Sequence, residues 1–285
     1  MIADPEAARF VAGCSSHTGV FTEPGEAEPT LEATRFGVEA LVALGGAPRE
    51  SVLDFVEACW RPDGGFAMLA GEAEISLAAT YYALRLRELV GHADPARGRV
   101  TARWLIDRML PGATGDADEG VDIDELYYAL RSWQILGFLP TDSHRLALVN
   151  FMLGCAGERG GFGLVQGAAS DIERTYCCVH GLRILGLDPP RLEVHRAWAS
   201  ACIAEGRFYA TPERLVYSLP TMYWGSRTAE LLGIDPDWPA VEREVLAFRR
   251  ADGGFGAQPS SSLWETYCAL GALRLATAMR EGADT

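Results

Sequence analysis

Long hydrophobic runs are missing from this chain: no uninterrupted apolar stretch in its 285 residues approaches the roughly 18 residues that a membrane-spanning helix needs. The stretch from Met1 to Glu6 also lacks a basic start followed by apolar residues, so no secretory leader is expected. Positive charge is scarce, with 25 Lys and Arg against 39 Asp and Glu and a net charge of -14. That balance argues against nucleic acid or an anionic membrane as the main partner, because most of the surface would repel a polyanion. Local basic patches remain compatible with it. Histidine is rare, and none of His17, His92, His144, His180 and His195 has helical spacing to another His or Cys that would suggest a metal site. Cysteine is present in an odd number, seven. Cys59, Cys155, Cys177, Cys178, Cys202 and Cys268 lie in apolar helical runs, as small buried hydrophobes do, so no disulfide framework is expected. The reading is a soluble, cytoplasmic protein.

What is present is apolar residues, 48% of the chain, arranged in a repeat. Six similar helix starts recur at intervals of 44 to 49 residues: Thr30–Thr34, Ser76–Thr80, Asp122–Leu126, Asp171–Thr175, Ser218–Met222 and Ser262–Thr266. Each opens with Ser, Thr or Asp, whose side chain can accept a hydrogen bond from an orphan amide of the first turn. Apolar helices over 31–44, 77–90, 123–137, 172–186, 219–233 and 263–279 follow, rich in Tyr, Phe, Trp, Ala, Leu and Cys. They suit a buried inner layer. More amphipathic segments over 49–60, 97–109, 142–155, 191–204 and 238–249, with Pro5–Cys14 as a sixth, suit an outer layer. Helix-pair repeats can stack into an open solenoid. Inner helices apolar nearly all round instead bury that surface best around a common axis. The expected fold is all-α, a single (α/α)6 toroid over residues 1–285, with six inner and six outer helices and an axial cavity.

The loops before the inner helices carry Gly64-Gly65-Phe66, Gly160-Gly161-Phe162 and Gly253-Gly254-Phe255, with weaker versions ending at Phe21 and Phe208. Glycine permits a tight turn there, and the Phe can pin it to the barrel wall. The third unit has an irregular acidic loop instead, Gly112–Gly120, leading into Asp122, Asp124 and Glu125.

The stretch Arg250–Pro259, followed by Trp264–Leu270, resembles the repeat of protein prenyltransferase beta subunits, whose toroid squalene-hopene cyclases and other class II terpene cyclases share. The zinc ligands of the prenyltransferases align with Ser218, Pro220 and Glu265, so the resemblance implies that no zinc site survives and that metal ligands are absent. Nor is a Lys and Arg cluster expected at the cavity mouth, where Arg174, Arg207 and Arg214 look scattered among acids. Val121–Glu125 resembles the Asp-x-Asp-Asp motif whose middle Asp protonates an alkene or epoxide in class II cyclases, with Glu125 in place of the last Asp. Those cyclases usually add a second helical domain, which this chain does not contain.

The resemblance therefore implies a class II-type terpenoid cyclase in which Asp124 donates a proton and Asp122 and Glu125 tune it. Clustering would raise one apparent pKa, and the helix start would stabilise the carboxylate left behind. Tyr81, Tyr127, Tyr128, Tyr176, Tyr223, Trp224, Trp264 and Tyr267 would offer faces worth about 0.5 to 2 kcal/mol each to a cation. About half of the aromatics near the helix starts are expected to line the cavity, since neighbours such as Tyr81 and Tyr82 point apart. Asp171 and Glu173 repeat the acidic pattern one unit later, and Glu265 is a mouth carboxylate. No redox cofactor is required, and Mg2+ would assist at the acidic mouth for a diphosphate substrate. The partner is an apolar isoprenoid, with room for a partner biosynthetic enzyme. Simpler roles stand beside these: Asp122 with Glu125 fits a capping box, Asp171 fits a cap, and the aromatics fit core packing. Other readings are an isoprenoid- or lipid-binding module, a prenyltransferase beta-like module lacking the zinc site, and a glycosidase using Asp124 with Asp171 or Glu173.

Overall fold

The computed structural model describes residues 4–109, 121–138 and 140–283. Twelve helices occur among them: α1 (Pro5–Gly13), α2 (Leu31–Ala43), α3 (Val52–Cys59), α4 (Leu77–Val90), α5 (Pro95–Met109), α6 (Ile123–Ile135), α7 (Asp142–Gly154), α8 (Ile172–Ile184), α9 (Leu192–Ala201), α10 (Leu219–Leu232), α11 (Trp238–Leu246) and α12 (Leu263–Ala283). A two-stranded antiparallel ribbon, β1 (Ile203–Ala204) with β2 (Arg207–Phe208), follows α9. The even-numbered helices form the inner layer. Each packs on the next, and α12 packs on α2, which closes the ring. The structure is the expected (α/α)6 toroid.

The helix starts are set by local chemistry. In all six units the leading Ser, Thr or Asp accepts a hydrogen bond from the amide three residues on, from Asp122 at 2.9 Å to Ser218 at 3.3 Å. The threonine that closes four of the six motifs has a different task. Thr34, Thr80, Thr175 and Thr266 each accept, through Oγ1, the backbone N–H of the Phe in the preceding loop, at 3.3, 3.1, 3.0 and 3.0 Å. In the fifth unit Met222 Sδ accepts from the Phe208 amide instead, at 3.2 Å. Buried amides without a partner are costly, so this latch fixes each loop to its own inner helix.

The rings of Phe21, Phe66, Phe162, Phe208 and Phe255 are buried against the inner helices. At Gly37 a Cβ would lie 2.2 Å from the Phe21 ring, so only glycine lets that ring seat. Gly160, at φ 108°, approaches the Val194 carbonyl so closely that a Cβ would fall 2.6 Å from it. The acidic loop Gly112–Gly120 lies outside the described residues.

The ring is sealed by segments far apart in sequence. Arg249 pairs with Asp4, and Glu23 accepts the amides of Leu263 at 2.8 Å and Trp264 at 2.9 Å, capping α12 from the other side of the seam.

Candidate active site

Counting from the capping residue of each inner helix places the axial side chains in tiers. The second position holds Glu32, Ala78, Asp124, Glu173, Pro220 and Trp264. The fifth holds Arg35, Tyr81, Tyr127, Tyr176, Tyr223 and Tyr267, and the sixth adds Phe36, Tyr82, Tyr128, Cys177 and Trp224. The ninth holds Glu39, Arg85, Arg131, His180, Arg227 and Gly271. At about 1.5 Å per residue, the second and ninth tiers lie roughly 10 Å apart along the axis. Most of these residues line one cavity of about 690 Å³. Such a volume suits a small organic ligand.

At the rim, Arg174 gathers the acids. Its guanidinium donates to Asp124 Oδ2 at 2.5 Å and to Glu173 Oε2 at 2.9 Å, and lies 3.8 Å from Asp171. Burial raises the pKa of Asp124, with Arg174 working against it. Glu173 is pushed up to about 7 by burial, Arg174 opposing and Asp124 and Asp171 adding repulsion. Asp171, also raised by burial, caps α8 through the Arg174 amide at 3.0 Å. Asp122 caps α6 through the Glu125 amide at 2.9 Å. Asp122, Glu125, Asp171 and Glu265 do not line the cavity, whereas Asp124 and Glu173 do.

Below the rim the wall is aromatic. Tyr81, Tyr127, Tyr128, Tyr176, Tyr223, Trp224, Trp264 and Tyr267 all line it, and so does Tyr82. The expectation that neighbours would point apart fails here. The axial space is wide enough for five of the six inner helices to present an arc covering both the fifth and sixth positions, α12 presenting the fifth alone. Hydroxyls pair across the ring: Tyr223 with Tyr267 at 2.6 Å and Tyr82 with Tyr128 at 3.2 Å.

Deeper still is a feature that sequence reading missed. Arg35, Arg85, Arg131 and Arg227 face the cavity together with Glu39. The Arg35 guanidinium lies 4.3 Å from the Phe36 ring centre, 4.7 Å from Tyr82 and 5.0 Å from Tyr267. Burial would push the Glu39 carboxyl up, but Arg35 and Arg85 hold it below its ordinary value. The recurrence of Arg at the ninth position in three units was the available signal.

The aligned zinc positions do not fit a metal. Pro220 offers no donor, the Ser218 hydroxyl is engaged with Thr221, and Glu265 accepts the Ala257 amide at 2.9 Å. Among the described residues, no group of three or more His, Cys, Asp and Glu side chains is placed to hold a metal ion. Nor is any described helix long and apolar enough to cross a membrane.

A toroid of six paired helices around an aromatic cavity defines a class of protein, and comparison places the chain within it. The model of the prenyltransferase alpha-alpha toroid domain matches residues 3–118 and 109–284. The chain belongs to that family. It is 26% identical over 203 residues to the geranylgeranyl transferase type-2 subunit beta of Candida albicans, covering 63% of this chain and 59% of that one. The chain thus spans about three fifths of this curated relative's length. Among solved structures, Candida albicans protein geranylgeranyltransferase-I complexed with GGPP superposes with a TM-score of 0.76 at 16% identity, over 97% of this chain and 92% of that chain. The type II terpene cyclase MstE from Scytonema, in complex with its substrate geranylgeranyl dihydroxybenzoate, gives 0.64 at 15% identity over 96% of both chains. At these identities the likeness is one of fold.

Proposed function

We propose that this chain is a class II-type terpenoid cyclase that protonates an alkene or epoxide of an isoprenoid held in the axial cavity. The observation that supports this is the Asp124–Arg174–Glu173 cluster, set at the head of an aromatic chamber. A proton donor must carry its proton at working pH and leave a stabilised anion. Glu173 meets the first condition with a pKa of about 7. It meets the second through Arg174 and the first turn of α8, where the helix dipole favours negative charge. Asp124 is in closer contact with the guanidinium, which works against the rise that burial imposes on its carboxyl. The donor therefore shifts from Asp124 to Glu173, with Asp124 and Asp171 raising its affinity for the proton. Asp122 and Glu125 act through the start of α6.

Proton transfer leaves a carbocation on the isoprenoid. The rings of Tyr128, Tyr223, Trp224 and Trp264 line the cavity and can face it. No redox cofactor enters this scheme, and Mg2+ enters only as a companion of a diphosphate substrate. The MstE match supports the reading in one further respect: 96% of that type II terpene cyclase chain is covered by this toroid.

One observation favours a second reading, isoprenoid binding without conversion. Arg35 already occupies the faces of Phe36, Tyr82 and Tyr267, and a guanidinium there repels a cation. Purified protein incubated with geranyl, farnesyl and geranylgeranyl diphosphates and with squalene, with and without EDTA, decides by mass spectrometry of the extracts. A cyclised product is expected, reduced about 100-fold or more in Glu173→Gln. Unchanged lipid bound stoichiometrically, with no product from any substrate, would establish the binding module instead.

A further inference from the structure

The deep arginine tier has more guanidinium than carboxylate. Arg35, which reaches down from the fifth position, shares Glu39 at 3.5 Å with Arg85 at 2.7 Å; Glu88 also takes Arg85 at 2.6 Å, and exposed Glu230 takes Arg227 at 3.0 Å. Arg131 has no carboxylate partner among the described residues. Its guanidinium donates to the Tyr127 hydroxyl at 3.2 Å and otherwise faces aromatic rings. The Nε–H groups of Arg35, Arg131 and Arg227 are all buried without an acceptor, and Arg35 as a residue is only 6% exposed. Buried cations and orphaned donors are costly to keep unless something completes them. His180, on the same tier, reports the local field: burial and the repulsion of Arg131, Arg227 and Arg183 lower its pKa to about 4.

We infer that the tier of Arg35, Arg131 and Arg227 is a subsite for the oxyanion head of an amphiphilic ligand, a diphosphate or a carboxylate, seated at the end of the cavity away from Asp124 and Glu173. The rim cannot serve that head equally well, because its one guanidinium already carries carboxylates. The cavity continues past the tier to Arg274 and Ala278 on α12, both exposed, so the head lies near the C-terminal ends of the inner helices. Its hydrocarbon tail then runs up through the aromatic tiers, with the far alkene towards Glu173. The assignment of the tail rests on the isoprenoid reading above; that of the head does not.

Calorimetric titration with farnesyl diphosphate, farnesoic acid and farnesol tests this on the wild type, on the double variant Arg131→Gln with Arg227→Gln, and on Arg174→Gln. At least one of the two anionic ligands is expected to bind about tenfold or more tighter than neutral farnesol, and the stronger of the two names the head group. The double variant should lose that preference and Arg174→Gln should keep it. The paired Lys replacements, which keep the charge, should retain part of it and guard against a fold defect. Equal affinity for all three ligands would overturn the inference. So would loss of the preference in Arg174→Gln alone, which places the head at the rim. If no prenyl ligand binds, inorganic pyrophosphate separates the two failures. Binding that is lost in the double variant sustains the subsite without the isoprenoid, and no binding rejects it.

Discussion

The rim and the arginine tier are built on the same helices, roughly 10 Å apart, and they bury opposite charges. At the rim one guanidinium, Arg174, is shared by carboxylates from two helices. In the tier one carboxylate, Glu39, is shared by guanidinia from two helices. In each place the shared ion holds its charge firmly, while at the rim three acids divide one cation and in the tier Arg131 has no carboxylate partner among the described residues. That shortage appears as a raised acid at the rim, and as unpaired donors and a neutral histidine in the tier. The difference shows that repeat register, rather than net charge, decides which charge the cavity presents at each depth.

The comparison breaks most visibly through stability. Arg35→Ala should cost about 3 to 5 kcal/mol, because it takes one of two partners from buried Glu39 and opens a hole among Phe36, Tyr82 and Tyr267. Arg174→Ala should cost about 1 kcal/mol or less, since its carboxylate partners reach water and can take up a proton. Chemical denaturation measures both. Equal losses would mean that the two ion clusters are energetically alike.

A smaller effect concerns pH. A folded pKa of about 7 for Glu173, against an ordinary 4.5, means that the native state binds this proton more tightly than the unfolded chain. Its favourable contribution is full below pH 4.5 and is lost as pH rises through 7. The melting temperature of the wild type should therefore fall between pH 5 and 8 more steeply than that of Glu173→Gln. Parallel curves would remove Glu173 as the titrating acid of the rim.

The smallest effect separates capping from chemistry. Asp122→Ser keeps an acceptor for the Glu125 amide and should change stability by less than about 0.5 kcal/mol, whereas Asp122→Ala should cost about 1 kcal/mol. Product formation by Asp122→Ser should stay near the wild-type level. A loss as large as that in Glu173→Gln would return Asp122 to the proton relay.

The architecture was legible because its determinants are local and repeated. The capping residues mark the starts of inner helices at Leu31, Leu77, Ile123, Ile172, Leu219 and Leu263, which are the starts expected from the pattern. The end of the last was not legible: α12 runs on to Ala283, past the expected 279, with the polar Arg280 and Glu281 and even Gly282 continuing the helix. The aromatic wall was legible by type and underestimated in extent. The arginine tier escaped notice because its members sit one to a helix, 46 or more residues apart, and look like isolated surface charges until the toroid superposes them. Arg174 was misjudged for a related reason. In sequence it is flanked by the acids of its own helix, whereas its firmest contact, Asp124, comes from the neighbouring one.

The seam has a consequence for how the cavity comes into being. The contacts of Asp4 with Arg249 and of Glu23 with Leu263 join residues 245 and 240 positions apart. Loop closure of that span belongs to the slow, late part of folding. On the ribosome, five inner helices are made before Leu263 exists, and until it does they form an arc with its aromatic face uncovered. The chamber is completed only when the sixth repeat arrives to shut it, so the partly made toroid is most exposed to aggregation until that repeat has docked.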